Sequence, residues 1–355
     1  MNKLIQKITK KSYFILAFSI LFISFYSCVP SQQLIRNENK IVPKNFNSKI
    51  SDSLNSAKIN WKNFFSDANL VALIDTALVN NQELNIISQQ INRAKNEIGI
   101  RKGEYLPFVN MYAGSEFEKV GEFTRNGAVE RNLNIRENEE FPEPLPNFSF
   151  GLAASWELDV WKKLRNGKKA ATLEYLSSIE GKNFMVTNLV AEIASSYYEL
   201  QALDNQLLII NENLELQQNA LKMVKLQKEA ARATQLAVRR FEAEVFKNQS
   251  NQFRIQQQIV ETENKINFLI GHYPKKIPRD SENFISKKID TIFTGIPSQL
   301  LANRPDIRQA EYELQASKLN VAIAKANFYP SIGIKAGVGL EAFQPKFLTH
   351  TPESL

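Results

Sequence analysis

Residues 303–337 read "NRPDIRQAEYELQASKLNVAIAKANFYPSIGIKAG", and residues 80–114 read "NNQELNIISQQINRAKNEIGIRKGEYLPFVNMYAG". Aligned without gaps, Pro107 falls on Pro330, Lys95 on Lys318 and Gly114 on Gly337. Identity is sparse, so the shared pattern carries the comparison. Leu84, Ile87, Ile91, Ala94, Ile98, Arg101 and Tyr105 recur at steps of three and four, and Ile307, Ala310, Leu314, Ser317, Val321, Ala324 and Phe328 take the same places. Such stripes suit helix-on-helix packing. Asn81 with Glu83, and Pro305 with Asp306, supply the helix starts. Each helix stops at a proline, which pushes its predecessor to extended geometry. After Pro330 the period falls to two, with Ile332, Ile334, Ala336, Val338, Leu340 and Ala342 on one face. The copies lie too far apart for a solenoid. They mark a large half-protein module written twice.

Between them, "NFSFGLAASWELDVW" (147–161) alternates more strictly still. Phe148, Phe150, Leu152, Ala154, Trp156, Leu158 and Val160 share one face, and Ser149, Gly151, Ala153, Ser155, Glu157 and Asp159 the other. One oily and one small or polar face suits a membrane barrel with a wet lumen, Trp156 and Trp161 marking its interface. A strand of a soluble sandwich alternates equally well; the export signal below and the scarcity of other strands favour the barrel. The polar stretch 119–147 is expected to be a long loop. Over 162–271, Ile193, Leu200, Leu207, Leu214 and Leu221 form a seven-residue stripe. Its register loosens at 231–234 and resumes at Leu236, Phe241, Val245, Ile255, Ile259, Thr262, Ile266 and Leu269. This predicts two antiparallel helices, 162–230 and 235–271, with a tight turn between them. Residues 272–300 have no clean period and read as a linker.

The 355 residues, 43% hydrophobic, suffice for a large core. The net charge of +7 is spread among 37 acids with no dense basic patch interleaved with aromatics beyond the N-terminus, so a solvated helical surface explains it better than nucleic-acid binding. Two histidines and one cysteine offer no metal-ligand spacing and little for hydrolytic chemistry. No cofactor or metal is expected. Lys3, Lys7, Lys10 and Lys11 precede the uncharged "YFILAFSILFISFYS" (13–27), a signal peptide over 1–27. Cys28 follows the small Ser27, as in a bacterial lipobox whose cysteine becomes the acylated first residue. The alternative is an ordinary signal peptide with an incidental cysteine. On either reading the protein is exported.

"WELDVWKKLRNGKKAA" (156–171), "IPSQLLANRPDIRQAE" (296–311), "ANFYPSIGIKAGVG" (326–339) and "WKNFFSDANLVALIDTALVNNQEL" (61–84) resemble signature stretches of TolC-like outer-membrane efflux proteins, in the lipoprotein branch. The resemblance covers nearly everything from Trp61 onward. It implies a mainly α fold with β: long antiparallel coiled-coil helices plus membrane β-barrel strands, internally duplicated, as a TolC-like α/β barrel. It implies a homotrimer whose strands close one barrel in the outer membrane and whose helices continue it through the periplasm. The partners implied are a periplasmic adaptor (membrane fusion) protein, an inner-membrane transporter and outer-membrane lipid, with no nucleic acid. The function implied is a passive, non-enzymatic exit duct for small molecules. The alternative is a coiled-coil lipoprotein scaffold of the cell envelope without a pore.

The expected organisation is a lipid-anchored extended segment over 28–60, then a first repeat over 61–271. That repeat holds a helix 69–104, strands 108–118 and 148–160, and helices 162–230 and 235–271. After the linker, 301–355 opens a second repeat with a helix 305–328 and a strand 331–343. By the resemblance this repeat is incomplete, and the sequence is truncated at its C-terminal end. The resemblance also makes the hairpin tip, Arg232, Ala233 and Thr234 with Arg239 and Arg240, an adaptor-docking site. A merely solvated tip weighs equally. Ala231 stands where the family has glycine.

Overall fold

The computed structural model describes residues 41–43, 46, 55–56, 59–136, 139–281, 284, 292–293 and 295–355. The signal segment, Cys28 and most of the segment 28–60 lie outside the described residues. The elements are α1 (Trp61–Phe64), α2 (Ala68–Asn80), α3 (Gln82–Glu104), β1 (Phe108–Glu118), α4 (Arg125–Asn132), β2 (Asn134–Arg136), β3 (Glu139–Glu140), β4 (Leu145–Leu158), α5 (Lys163–Glu229), α6 (Gln235–Leu269), α7 (Pro297–Asn303), α8 (Pro305–Ala326) and β5 (Ile332–Ala342). Among the described residues, one compact unit contains 95–172 and 315–355, and a second contains 173–314 with the N-terminal residues up to 94. α3, α5 and α8 contribute residues to both.

The helical unit is built on the long hairpin of α5 and α6. Ile193, Leu200 and Leu214 of the predicted stripe are buried, with Leu207 and Leu221 half-buried between neighbours. Polar cross-links flank the stripe: Lys265 to Glu192 at 3.2 Å, Gln252 Nε2 donating to Asn211 Oδ1 at 2.7 Å, Asn248 Nδ2 donating to Gln217 Oε1 at 2.8 Å, and Lys225 to Glu242 at 3.1 Å. At the far end from the tip, Leu70, Ile74 and Ala77 of α2 pack with Ile193, Tyr197, Leu200, Ile266 and Ile270 in the main core. Burying each of these large apolar residues fully stabilises the fold by roughly 1.5–3 kcal/mol. Asp67 starts α2 by accepting from the amides of Asn69 and Leu70, and the buried Tyr197 hydroxyl donates to the same carboxylate at 3.1 Å.

Three expectations for the helices are corrected. The helix expected over 69–104 is broken at Asn81. The Asn81 carboxamide oxygen accepts from the Leu84 amide at 3.0 Å, and its Nδ2 donates to the Leu269 carbonyl at 2.9 Å, so the break is a buried cap shared with α6. On α6, Val238 and Val245 face inward, whereas Leu236 is 78% exposed and Phe241 lies outside the stripe. From Val245 onward the expected positions are covered, so the departure is confined to the start of α6. On α8 the expected stripe is the outer one. Leu314 and Val321 are exposed, as is Phe328 just beyond the helix, and Tyr312, Ala316, Leu319, Ile323 and Ala326 form the more covered face. That helix carries two apolar stripes, each with two alanines, and the stripe holding Ala316 and Ala326 is the more covered one. The region read as a linker also contains α7, started by Pro297 and by Gln299, whose Oε1 accepts from the Ile296 amide.

In the other unit β1, β4 and β5 form one antiparallel sheet in that order. The expected strands 108–118, 148–160 and 331–343 all form, β4 starting three residues earlier than expected. The stretch 119–147 is not only loop: α4, capped by the Thr124 hydroxyl accepting from the Gly127 amide, and the small β2–β3 ladder lie within it. The two proline turns of the repeat are each tied to a tryptophan near the end of β4. Trp156 Nε1 donates to the Tyr105 carbonyl at 3.1 Å. Trp161 Nε1 donates to the Pro330 carbonyl at 2.9 Å and stacks on Tyr329 at 4.5 Å. The copies therefore flank the strand that separates them in sequence.

Candidate functional site

Register decides what the sheet can do. Val109, Met111, Ala113 and Phe117 pair with Ala154, Leu152, Phe150 and Pro146. Phe150, Leu152, Trp156 and Leu158 pair in turn with Leu340, Val338, Ile334 and Ile332. Because side chains alternate, these rows make one largely apolar face, interrupted by Ser115 beside Phe148, while Phe108 falls on the other face beside Ser155. The opposite face carries Asn110, Tyr112, Gly114 and Glu116 of β1, Ser149, Gly151, Ala153 and Ser155 of β4, and Gly333, Lys335, Gly337, Gly339 and Glu341 of β5. A sheet apolar on one side and small or polar on the other separates hydrocarbon from water. Among the described residues no helix is long and apolar enough to cross a membrane.

One row of three residues closes that register on the polar side. Tyr112, Gly151 and Gly339 occupy one row across the three strands. A Cβ on Gly151 would lie 2.6 Å from the Gly339 Cα and 2.7 Å from the Tyr112 hydroxyl, so both glycines are required for the close approach.

At the end of β4, Asp159 closes the strand and opens α5. Its two carboxylate oxygens accept from the Leu164 and Arg165 amides, each at 3.0 Å, and the Arg165 guanidinium donates at 3.0 Å. Burial disfavours the Asp159 charge, but these hydrogen bonds outweigh it and hold the carboxyl below its ordinary range.

The hairpin tip brings the other predicted residues together. α5 ends with the Ala231 amide donating to Lys228 O and the Arg232 amide to Gln227 O, with Ala231 in the left-handed region at φ 59°. Glycine prefers that position, and here alanine occupies it. The Thr234 hydroxyl caps α6 by accepting from the Ala237 amide at 3.2 Å. Arg239 is engaged by Glu242 at 2.9 Å, whereas Arg232 and Arg240 have no ion pair among the described residues. Glu242 also meets Lys225, and the Lys225 and Arg239 hydrogen bonds hold its carboxyl below the ordinary value. Sequence reasoning missed that Leu236 and Phe241 belong here. With Thr234, Ala237, Arg239 and Arg240 they line an open hollow of about 680 Å³. Only the register slip at 231–234 hinted at it.

Among the described residues no three His, Cys, Asp or Glu side chains gather as a metal site. The geometry therefore offers a two-faced wall and a solvent-exposed tip.

The model of the family described as outer membrane efflux protein matches residues 73–272 and 296–344. The chain is 28% identical over 301 residues to the cation efflux system protein CusC of Escherichia coli O6:H1, a span of 84% of this chain and 62% of that relative. It is 25% identical over 330 residues to the probable outer membrane lipoprotein SilC of Salmonella typhimurium, covering 91% of this chain and 67% of SilC. A crystal structure of CusC, reported with the conformational changes accompanying folding and transmembrane channel formation, superposes with a TM-score of 0.74 at 26% identity. It covers 92% of this chain and 70% of that one.

Proposed function

The chain belongs to the outer membrane efflux protein family and has the TolC-like α/β fold, and from that premise we propose that it is the outer-membrane duct of a tripartite efflux or secretion system. Three copies close a single barrel in the outer membrane, and their helices prolong it into the periplasm. Cys28 carries the lipid anchor, a reading supported by the description of SilC as an outer membrane lipoprotein. The tip, through Arg232, Ala233, Thr234 and Arg240, docks a periplasmic adaptor that joins the duct to an inner-membrane transporter. Arg239 helps shape the tip through Glu242. Passage is passive, without a catalytic group or cofactor.

The sheet carries this reading. A protein that served only as an envelope scaffold would have no use for strands whose rows are apolar on one side and small or polar on the other. In hydrocarbon every backbone group must be paired, which a closed barrel of such strands achieves. The test is to extract the protein from the outer-membrane fraction of its native cells, look for a heat-dissociable trimer by gel, and reconstitute it in planar bilayers. Stepwise conductance is expected. A stable oligomer with no β signal in circular dichroism and no conductance would leave the scaffold reading standing instead.

A further inference from the structure

We propose that the end of the sheet nearest the helices is a docking belt for the phosphate headgroups of anionic phospholipids in the adjoining leaflet; this rests on the duct reading above. Two independent observations meet there. The first is charge. The segments 101–106, 156–169 and 318–334, which abut that end, hold nine Lys or Arg against three acids. The opposite end of the sheet reverses this among the described residues, with nine acids against five cations over 116–136, 139–143 and 341–353. The charge that sequence reading treats as evenly spread is thus concentrated once three distant segments come together in one unit.

The acids at the basic end are already engaged. Glu157 faces Lys163, Asp159 faces Arg165, and Glu104 faces Arg101 at 3.2 Å. Lys102, Lys162, Lys168, Lys169 and Lys325 have no ion pair among the described residues, and the first four are exposed. Lys162 is held at φ 60°, a conformation that lysine rarely adopts, at the corner between β4 and α5.

The second observation is the order of surface chemistry away from the sheet. The apolar rows end at Leu158 and Ile332. Next come the exposed Val160, Trp161 and Tyr329, the two rings stacked. Only then do the lysines begin. Hydrocarbon, amphipathic aromatics and flexible cations in that sequence match acyl tails, the interface and headgroup phosphates. A nucleic acid would match the cations but not the apolar rows beside them.

The test reconstitutes the full-length protein into vesicles of phosphatidylethanolamine alone and of phosphatidylethanolamine with phosphatidylglycerol. Lipid retained after detergent extraction is identified by mass spectrometry. Wild type should retain phosphatidylglycerol several-fold above its share of the vesicle. A Lys162→Gln/Lys168→Gln/Lys169→Gln variant should fall back to that share, while Lys222→Gln/Lys228→Gln on the hairpin should match wild type. Inorganic phosphate should not displace the lipid. Conductance in both vesicle types is measured alongside. Conductance without phosphatidylglycerol enrichment, enrichment unchanged in the triple variant, or displacement by inorganic phosphate would each overturn the belt and leave the duct intact. Failure to conduct in either vesicle would overturn the duct reading itself, and the belt with it.

Discussion

The Tyr112 hydroxyl lies over Gly339, two strands away, so closely that a Cβ added there would come within 2.5 Å of it. The intervening Gly151 is crowded more by backbone: besides the Tyr112 hydroxyl at 2.7 Å, its missing Cβ would strike Gly339 Cα and Val338 O, each at 2.6 Å, whereas at Gly339 the nearest backbone atom is Phe150 O at 2.9 Å. Backbone cannot move aside as a phenol can. Gly151→Ala should therefore cost more stability than Gly339→Ala, each in the overpacking range of about 1–3 kcal/mol. Tyr112→Phe should recover part of the loss at Gly339 and little at Gly151. Thermal unfolding followed through the β signal in detergent would measure the ranking.

Two helix ends of the same design invite a paired substitution. Gly271 closes α6 with the bond pattern by which Ala231 closes α5, at φ 69° against 59°. Ala231→Gly should stabilise the tip by about 0.5–1 kcal/mol by relieving the left-handed alanine. Gly271→Ala should destabilise by more than that, because its Cβ would also meet the Asn80 carbonyl at 2.7 Å. Hydrogen exchange of the tip amides should slow in the first variant.

Arg279 clasps the two hairpin helices, donating to Asp204 Oδ1 of α5 at 2.8 Å and also to Glu263 of α6. Burial opposes the charge of Asp204, and the Arg279 and Ser281 hydrogen bonds outweigh it, so the carboxyl stays below its ordinary value. A depressed carboxyl contributes its stabilisation above its unfolded pKa of about 3.9 and loses it as pH falls through the lower folded value. Arg279→Met leaves partly buried carboxylates unpaired and should cost about 1–3 kcal/mol at neutral pH. It should also flatten the acid limb of the stability profile. Denaturant melts across the acidic range would detect both effects.

Asn81→Ala removes the cap of α3 and leaves the Leu269 carbonyl without its donor, a cost of about 1–2 kcal/mol. Asn81→Asp should keep the cap yet place a carboxylate against that carbonyl. Its deficit at neutral pH should shrink on acidification. Chemical denaturation of each variant would report the difference.

At the tip, Arg232→Glu with Arg240→Glu should weaken crosslinking to a co-expressed adaptor. Arg239→Glu should instead lower hairpin stability, since it confronts Glu242 with a like charge. Photo-crosslinking from position 233, read beside a thermal melt, separates the two effects. Equal adduct yield from wild type and the double variant would argue for a merely solvated tip.

The strands and the long hairpin were legible because their periods run unbroken, as from Ile193 to Leu221 and from Phe148 to Leu158. The helix break at Asn81 was legible only in part. Asparagine signals a cap, but the partner that makes the break rigid, the Leu269 carbonyl, is distant in sequence. On α8 two stripes were available, and sequence periodicity could not decide which one the neighbouring helix would cover. Arg279 sits in a stretch without any period, so its role depends entirely on the helices it bridges. Leu236 and Phe241 were misplaced because a turn can shift register without altering composition. The basic end of the sheet stayed hidden because its charges come from three segments that only folding assembles.

The polar face of the sheet presents Ser149, Gly151, Ala153 and Ser155 on its central strand and Gly333, Gly337 and Gly339 beside them. The strip along that central strand is poor in side-chain atoms, though Tyr112, Lys335 and Glu341 border it, and it offers a passing solute few contacts, each individually weak. On the duct reading, dwell times along this lining are short, and throughput is gained at the expense of discrimination. Recognition then falls to whatever loads the conduit, and a single exit of this kind can serve cargoes that share no common chemistry.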